Sequence, residues 1–185
     1  ACMTELAWQD PLRGGAVARE GFRFAAAEDL ALVRLQLVAG DRDALARAEA
    51  ALEHALPETG AVADGKGYRV AARAPGDWLL IARAGETAAL MTTLAAALAG
   101  TTAALTPATE GLAALRLTGP ARGRVLARGT TLDVGRLAPG RCAATRFAAV
   151  AVLLVPEADA MLLFADRSLA VYLRDWCDAA SADCC

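Results

Sequence analysis

Apolar residues recur along this chain with two alternating periods. In DLALVRLQLVAG (29–40), Val33, Leu35 and Leu37 are separated by Arg34 and Gln36, the period of a half-buried strand. Asp41 then offers an N-cap to a helix on which Leu45, Ala48, Leu52 and Leu56 share one face, ended by Pro57. The glycine-bearing stretch 58–67 reads as a mobile loop. In YRVAARAPGDWLLIARA, Pro75-Gly76-Asp77 separates two short apolar runs and predicts a hairpin. Glu86 and Thr87 open a second helix that groups Leu90, Met91, Leu94 and Leu98, with Gly100 just past its end.

The same order then returns. GLAALRLTGPARGRVLARG predicts a strand with Leu115 and Leu117 inward, then a helix with Pro120 near its first position. RFAAVAVLLVPEADAMLLFA predicts a hairpin turning at 156–159. DRSLAVYLRDWCDAA predicts a helix capped by Asp166, with Leu169, Leu173, Trp176 and Ala180 on one face. The copies lie roughly 80 residues apart, too long a period for a solenoid. Each reads β-α-β-β-α, and TTAALT (101–106) adds a strand to the first. The expected fold class is α+β, with two repeated ferredoxin-like halves packed together. The expected divisions are an N-terminal arm (1–28), a first half (29–110), a second half (111–180) and a tail (181–185). Trp8, in the arm, is the candidate anchor onto a partner, because aromatics concentrate in interface cores.

Composition narrows the function. No apolar run approaches the ~20 residues that span a bilayer, and the N-terminus has no secretory pattern, so a cytoplasmic protein with no membrane partner is expected. Net charge is −2, and the arginines are scattered rather than gathered on a face, which argues against nucleic acid.

The catalytic inventory is thin. His54, the single histidine, is expected on the outer side of its helix. Cys142 has Arg141 and Arg146 nearby, which could lower a thiol pKa, but it also reads as a small residue entering a strand. Cys177 reads as core, and Cys184 and Cys185 as a terminal pair without C-x-x-C or histidine company. Gly119-Pro120-Ala121-Arg122 could hold an anion at a helix entrance, or simply be that entrance. No phosphate loop, dinucleotide fingerprint or H-E-x-x-H is present. Catalytic, cofactor-binding and metal residues are therefore all expected to be none, and assembly suits the chain better than catalysis.

Four segments, in order over about residues 65–180, resemble the gamma subunit of heterotetrameric sarcosine oxidase. They are APGDWLLIA with Trp78; LRLTGPARGRVLARGTTLDV through Gly119, Arg122, Leu126, Gly129, Leu132 and Asp133; PGRCAATRF through Gly140, Cys142 and Thr145; and DRSLAVYLRDW through Arg167, Ser168, Ala170, Tyr172, Leu173 and Trp176. The resemblance implies a fold like the folate-binding domains of aminomethyltransferases, the glycine-cleavage T-protein group. It implies alpha, beta and delta partner subunits that hold FAD, FMN, NAD and zinc, and a complex converting sarcosine to glycine with hydrogen peroxide and 5,10-methylenetetrahydrofolate. Folate-binding relatives often carry a "K-G-x-Y-x-G-Q-E"-like stretch at PGRCAATR. Here Ala144 and Thr145 stand at its Gly-Gln/Glu pair, so the resemblance implies a scaffold without its pterin contacts. The alternatives are a stand-alone folate-binding or aminomethyltransferase-like module, and a free scaffold domain.

Overall fold

The computed structural model describes residues 10–184. The strands are β1 (Val17–Arg19), β2 (Phe22–Ala26), β3 (Leu30–Leu37), β4 (Val62–Asp64), β5 (Tyr68–Ala74), β6 (Asp77–Arg83), β7 (Ala103–Pro107), β8 (Leu112–Thr118), β9 (Ala143–Phe147), β10 (Val150–Pro156) and β11 (Ala160–Asp166). The helices are α1 (Arg42–Leu52), α2 (Thr87–Ala97), α3 (Arg122–Gly129) and α4 (Ala170–Ala182). One antiparallel sheet runs β4-β5-β6-β3-β7 and the other β1-β2-β8-β11-β10-β9.

The α+β class and the duplicated plan are as the sequence predicts. From the β4 end, the first sheet reads second, third, fourth, first and last strand of its half; the second reads β9-β10-β11-β8 in the first four of these roles. Each half carries three strands between its helices, one more than the sequence pattern suggests. The extra strand, β4 or β9, adds to the outer edge of its sheet, and every strand pairing is antiparallel.

The layers are helix, sheet, sheet, helix. α1 and α2 cover one sheet through Ala44, Ala48, Leu52 and Leu94 against Val33, Leu35 and Leu80. α3 and α4 cover the other through Val125, Leu126, Leu173 and Cys177 against Leu115, Leu117 and Leu154. Between the sheets, Leu79 and Ile81 meet Leu153, Val155, Leu162 and Phe164. Strands β6 and β11 are therefore buried on both faces. That is why LLIA and LLFA are unbroken apolar runs, whereas β8, half-covered, alternates.

Several local expectations are corrected. Residues 17–26, expected in an extended arm, form the β1–β2 hairpin, with Phe24 fully buried. The stretch 58–67 contains β4 and is paired to β5. Helix α1 stops at Leu52, before Pro57, because Glu53 takes the left-handed conformation (φ 57°) and His54 N–H bonds back to Glu49 O. Glu49 Oε1 then accepts Leu56 N–H at 2.9 Å, which brings Leu56 into the core from outside the helix. Pro120 precedes the α3 cap residue Ala121 rather than opening the helix.

The run RFAAVAVLL is not one strand. Ala148 and Ala149 have φ of 49° and 64° and turn β9 back as β10, a left-handed pair usually built with Asn or Gly. The turn is held from outside: Ala148 N–H donates to Gly129 O, Tyr172 hydroxyl to Ala148 O (3.0 Å) and Arg146 Nη2 to Ala149 O (2.7 Å). In α4, a 3-10 turn at Arg167–Leu169 delays the helix. The buried face is Ala170, Leu173, Cys177 and Ser181, and Leu169 faces solvent.

Candidate functional site

The residues of chemical interest do not converge. Trp8 lies outside the described residues. His54 is half-buried beside the α1 terminus rather than facing solvent from the helix. Its ring lies 5.6 Å from that of Tyr68, Nδ1 faces Ala55 O at 2.8 Å, and Nε2 is buried without a hydrogen-bond partner. Among the described residues, no carboxylate or nucleophile is hydrogen-bonded to the ring to form a relay.

Cys142 is buried, with Sγ 3.3 Å from Ala72 O and 3.4 Å from Ala61 O. Burial raises its pKa, outweighing the Ala72 hydrogen bond and the nearby Arg141 charge. It reads as a seam residue rather than a reactive thiolate. Its backbone N–H donates to Gly60 O, stitching the β4 edge to the β9 entrance. Burial alone pushes the Cys177 thiol up to about 12.

The Gly119–Arg122 segment is spoken for. Ala121 N–H donates to Gly21 O at 2.9 Å, and Arg122 Nη1 to Gly119 O at 3.4 Å. Gly119 has φ 93°, and a Cβ there would sit 2.7 Å from Gly21 C and 3.1 Å from Phe22 N. The glycine lets the β1–β2 turn approach; it does not open an anion site.

Two of the concavities adjoin residues of the sequence motifs. A cleft of about 660 Å³ opens beside β9 and β10, lined by Arg73, Ala144, Thr145, Arg146 and Asp166. Thr145 Oγ1 faces Thr130 Oγ1 at 3.4 Å, Arg146 bonds its own turn, and Arg73 sits 3.8 Å from Asp77. The hydroxyl and backbone N–H of Ser168 hold Asp166 below the usual carboxylate range, so it is no proton donor. A second, apolar cavity of about 380 Å³ lies between Val38, Leu45, Leu56 and Pro75, walled by Trp78, whose Nε1 donates to Pro57 O at 2.9 Å. Among the described residues, no group of three or more His, Cys, Asp or Glu could hold a metal. No described helix is long and apolar enough to cross a membrane.

An ion-pair chain that no sequence signal announced joins the halves. Arg69 of β5 reaches Glu157 (2.9 Å), Glu157 reaches Arg116 of β8 (3.4 Å), and Arg116 reaches Asp29 (3.2 Å). Burial would lower the Arg116 pKa, but Asp29 and Glu157 together raise it. Burial likewise opposes ionisation of Asp29, yet the Arg116 hydrogen bond and charge help keep its pKa low.

The model of the sarcosine oxidase, gamma subunit family matches residues 38–183. The chain belongs to that family. Among solved structures it is similar to a chain of the heterotetrameric sarcosine oxidase of Corynebacterium sp. U-96, determined in complex with pyrrole 2-carboxylate. The identity is 23%, 95% of each chain is covered, and the TM-score is 0.83. It is also similar to the glycine cleavage system aminomethyltransferase T of Bartonella henselae, at 16% identity, over 85% of this chain and 46% of that one, with a TM-score of 0.61. These two likenesses establish the fold. Among curated proteins, no sequence matches.

Seen in this gamma-family fold, the motif residues hold the scaffold. Trp78 ties β6 to the segment after α1. Asp133 accepts Gly135 N–H in a 3-10 turn, and Asp166 accepts Ser168 N–H before α4. Trp176 packs edge-on to Phe147 (centroids 4.9 Å, 74°), over Gly129, and Tyr172 secures the β9–β10 turn. The Ala-Ala turn itself carries no sequence signal; the tyrosine and glycine that support it do.

Proposed function

We propose that this chain is the non-catalytic gamma subunit of a heterotetrameric sarcosine oxidase, assembled with alpha, beta and delta subunits that carry FAD, FMN, NAD and zinc. In the complex, sarcosine gives up its methyl carbon to tetrahydrofolate as 5,10-methylenetetrahydrofolate. Two hydrogens pass with their electrons to dioxygen as hydrogen peroxide, and glycine remains. The single observation behind the non-catalytic part is that the family's motif residues are engaged in packing, capping and turn support. The residues do not fit a bound folate: at the cleft, Ala144 supplies no polar side chain, and the Thr145 hydroxyl faces Thr130. No step of the reaction is assigned to this chain.

The test is co-expression with the three partner subunits, with an affinity tag on this chain alone. The expected result is recovery of a flavin-bearing complex with sarcosine-dependent peroxide production, and none from the isolated chain. A tagged chain that recovers no flavoprotein overturns the proposal. Calorimetric heat and a melting shift on adding tetrahydrofolate to the isolated chain would support the stand-alone folate module instead.

A further inference from the structure

The two sheets share one plan, but one is a strand shorter. Beside β8 lies β2, and beyond β2 lies β1; beside β3 lies β7, and no described strand lies beyond it. The backbone phase makes the comparison residue by residue. Ala27 N–H donates to Ala114 O at 2.8 Å, so Ala25 and Arg23 face β8, while Phe24 and Phe22 turn outward and pair with Val17 and Arg19. Ala108 N–H likewise donates to Leu32 O at 2.8 Å, so Thr106 and Ala104 face β3, while Leu105 and Ala103 turn their amides and carbonyls outward.

Leu105 thus stands where Phe24 does, Ala103 where Phe22 does, and Pro107 where Ala26 does. The β1–β2 pairing does not extend to Ala26, so Pro107 lies outside the stretch an equivalent strand would use. Side chains agree with the backbone. Phe24 and Phe22 are 0% and 2% exposed next to Val17, whereas Leu105 and Ala103 are only partly buried.

A second observation adjoins the edge. From Thr87 to Thr109 not one residue is charged, in a chain that is 22% charged. That span holds α2, of which only Leu94 is buried, and β7. The matching helix α4 carries Arg174, Asp175 and Asp178, as a helix bordering water does. An uncharged helix face beside an unpaired strand edge marks a surface meant to be covered.

We propose that the outer edge of β7 and the adjoining face of α2 are a docking site for an extended strand of a partner subunit, laid antiparallel to β7 as β1 lies against β2. The occupant is uncharged, with an apolar residue opposite Leu105 directed to α2, as Val17 packs beside α4. A foreign strand fits better than a second copy. The similar solved chain comes from a heterotetramer, in which strands of other subunits are at hand. The partner's identity rests on the gamma-subunit reading; the open edge does not.

The test uses the co-expressed complex with three forms of this chain. Leu105→Pro removes an outward N–H without touching the β3 ladder, and Ala89→Glu places a charge on the exposed face of α2, where folding is not at stake. Each variant is expected to cut recovery of partner subunits about tenfold or more. In the wild type, the Leu105 and Ala103 amides should exchange rapidly in the free chain and become protected on assembly. Wild type and both variants recovering partners equally, without new protection, overturns the docking site while leaving the gamma-subunit reading standing. A wild type that recovers nothing overturns that reading and the partner strand with it. An isolated chain that dimerises, and is made monomeric by Leu105→Pro, assigns the edge to a second copy and also overturns the proposal.

Discussion

Replacing Gly129 with alanine tests whether the family's motif glycine is set by packing. Gly129 ends α3 with an ordinary negative φ, so its backbone does not require glycine, and alanine is the better helix former. Space is the obstacle. A Cβ there would lie 2.5 Å from Phe147 Cδ2, closer still to Cε2, and 2.9 Å from Trp176 Cη2. Carbon contacts settle near 3.5–4.0 Å, so the Phe147 ring must retreat by about 1 Å. Phe147 is 0% exposed and sits edge-on to Trp176, so it has no free direction. Overpacking of this kind costs about 1–3 kcal/mol, and helix propensity returns at most ~1 kcal/mol. The expected net loss is about 1–2 kcal/mol, or roughly 2–8 °C in Tm for a chain of this size. Urea and thermal unfolding measure the loss, and near-UV circular dichroism follows Trp176. Phe147→Leu in the Gly129→Ala background should recover part of it, a favourable coupling in a double-mutant cycle. A Gly129→Ala chain as stable as wild type, with no such coupling, would refute the reasoning.

Gly119→Ala should destabilise more, by about 3 kcal/mol, because it combines φ 93° with a backbone collision at Gly21 and Phe22; limited proteolysis should then cut first in residues 17–26. Among Cys142, Cys177 and Cys184, native-state alkylation at pH 8 mapped by mass spectrometry should label Cys184 and spare the two buried thiols. Burial raises the folded pKa of Cys177 from the ordinary 9.0 to about 12, so its unfolded form loses the proton first. Its contribution is full below pH 9 and falls as pH rises towards 12; Cys177→Ala should flatten that part of the alkaline unfolding profile. Glu157→Gln weakens the ion pairs to Arg69 and Arg116 and should cost about 1 kcal/mol, less at high salt.

The long elements were legible because their burial is one-sided or complete. β3 and β8 alternate since one face meets helices and the other carries Arg34 and Arg116 in ion pairs, and β6 and β11 are apolar throughout because both faces are covered. What sequence reasoning missed depends on partners distant in the chain. Phe22 and Phe24 look like isolated aromatics until β8 lies beside them. Ala148 and Ala149 look like strand until Tyr172, Gly129 and Arg146 hold their positive φ. His54 was placed on an outer helix face because the left-handed stop at Glu53 leaves no Gly or Asn to announce it. The cleft was foreseeable only as far as Ala144 and Thr145 were singled out; Arg73, its other wall, comes from the opposite half.

The second sheet takes its outer strands from residues 17–26 and not from residues after α4, and this sets a timetable for synthesis. At about 5–20 residues per second, β2 leaves the ribosome roughly 4–17 s before β8, its neighbour, is made. A two-stranded hairpin is marginal by itself, so Phe22 and Phe24 spend that interval without a sheet. Every strand of the first sheet lies between Leu30 and Pro107, and that half can close while the hairpin waits. Of the described strands, the first to emerge are then among the last to be buried.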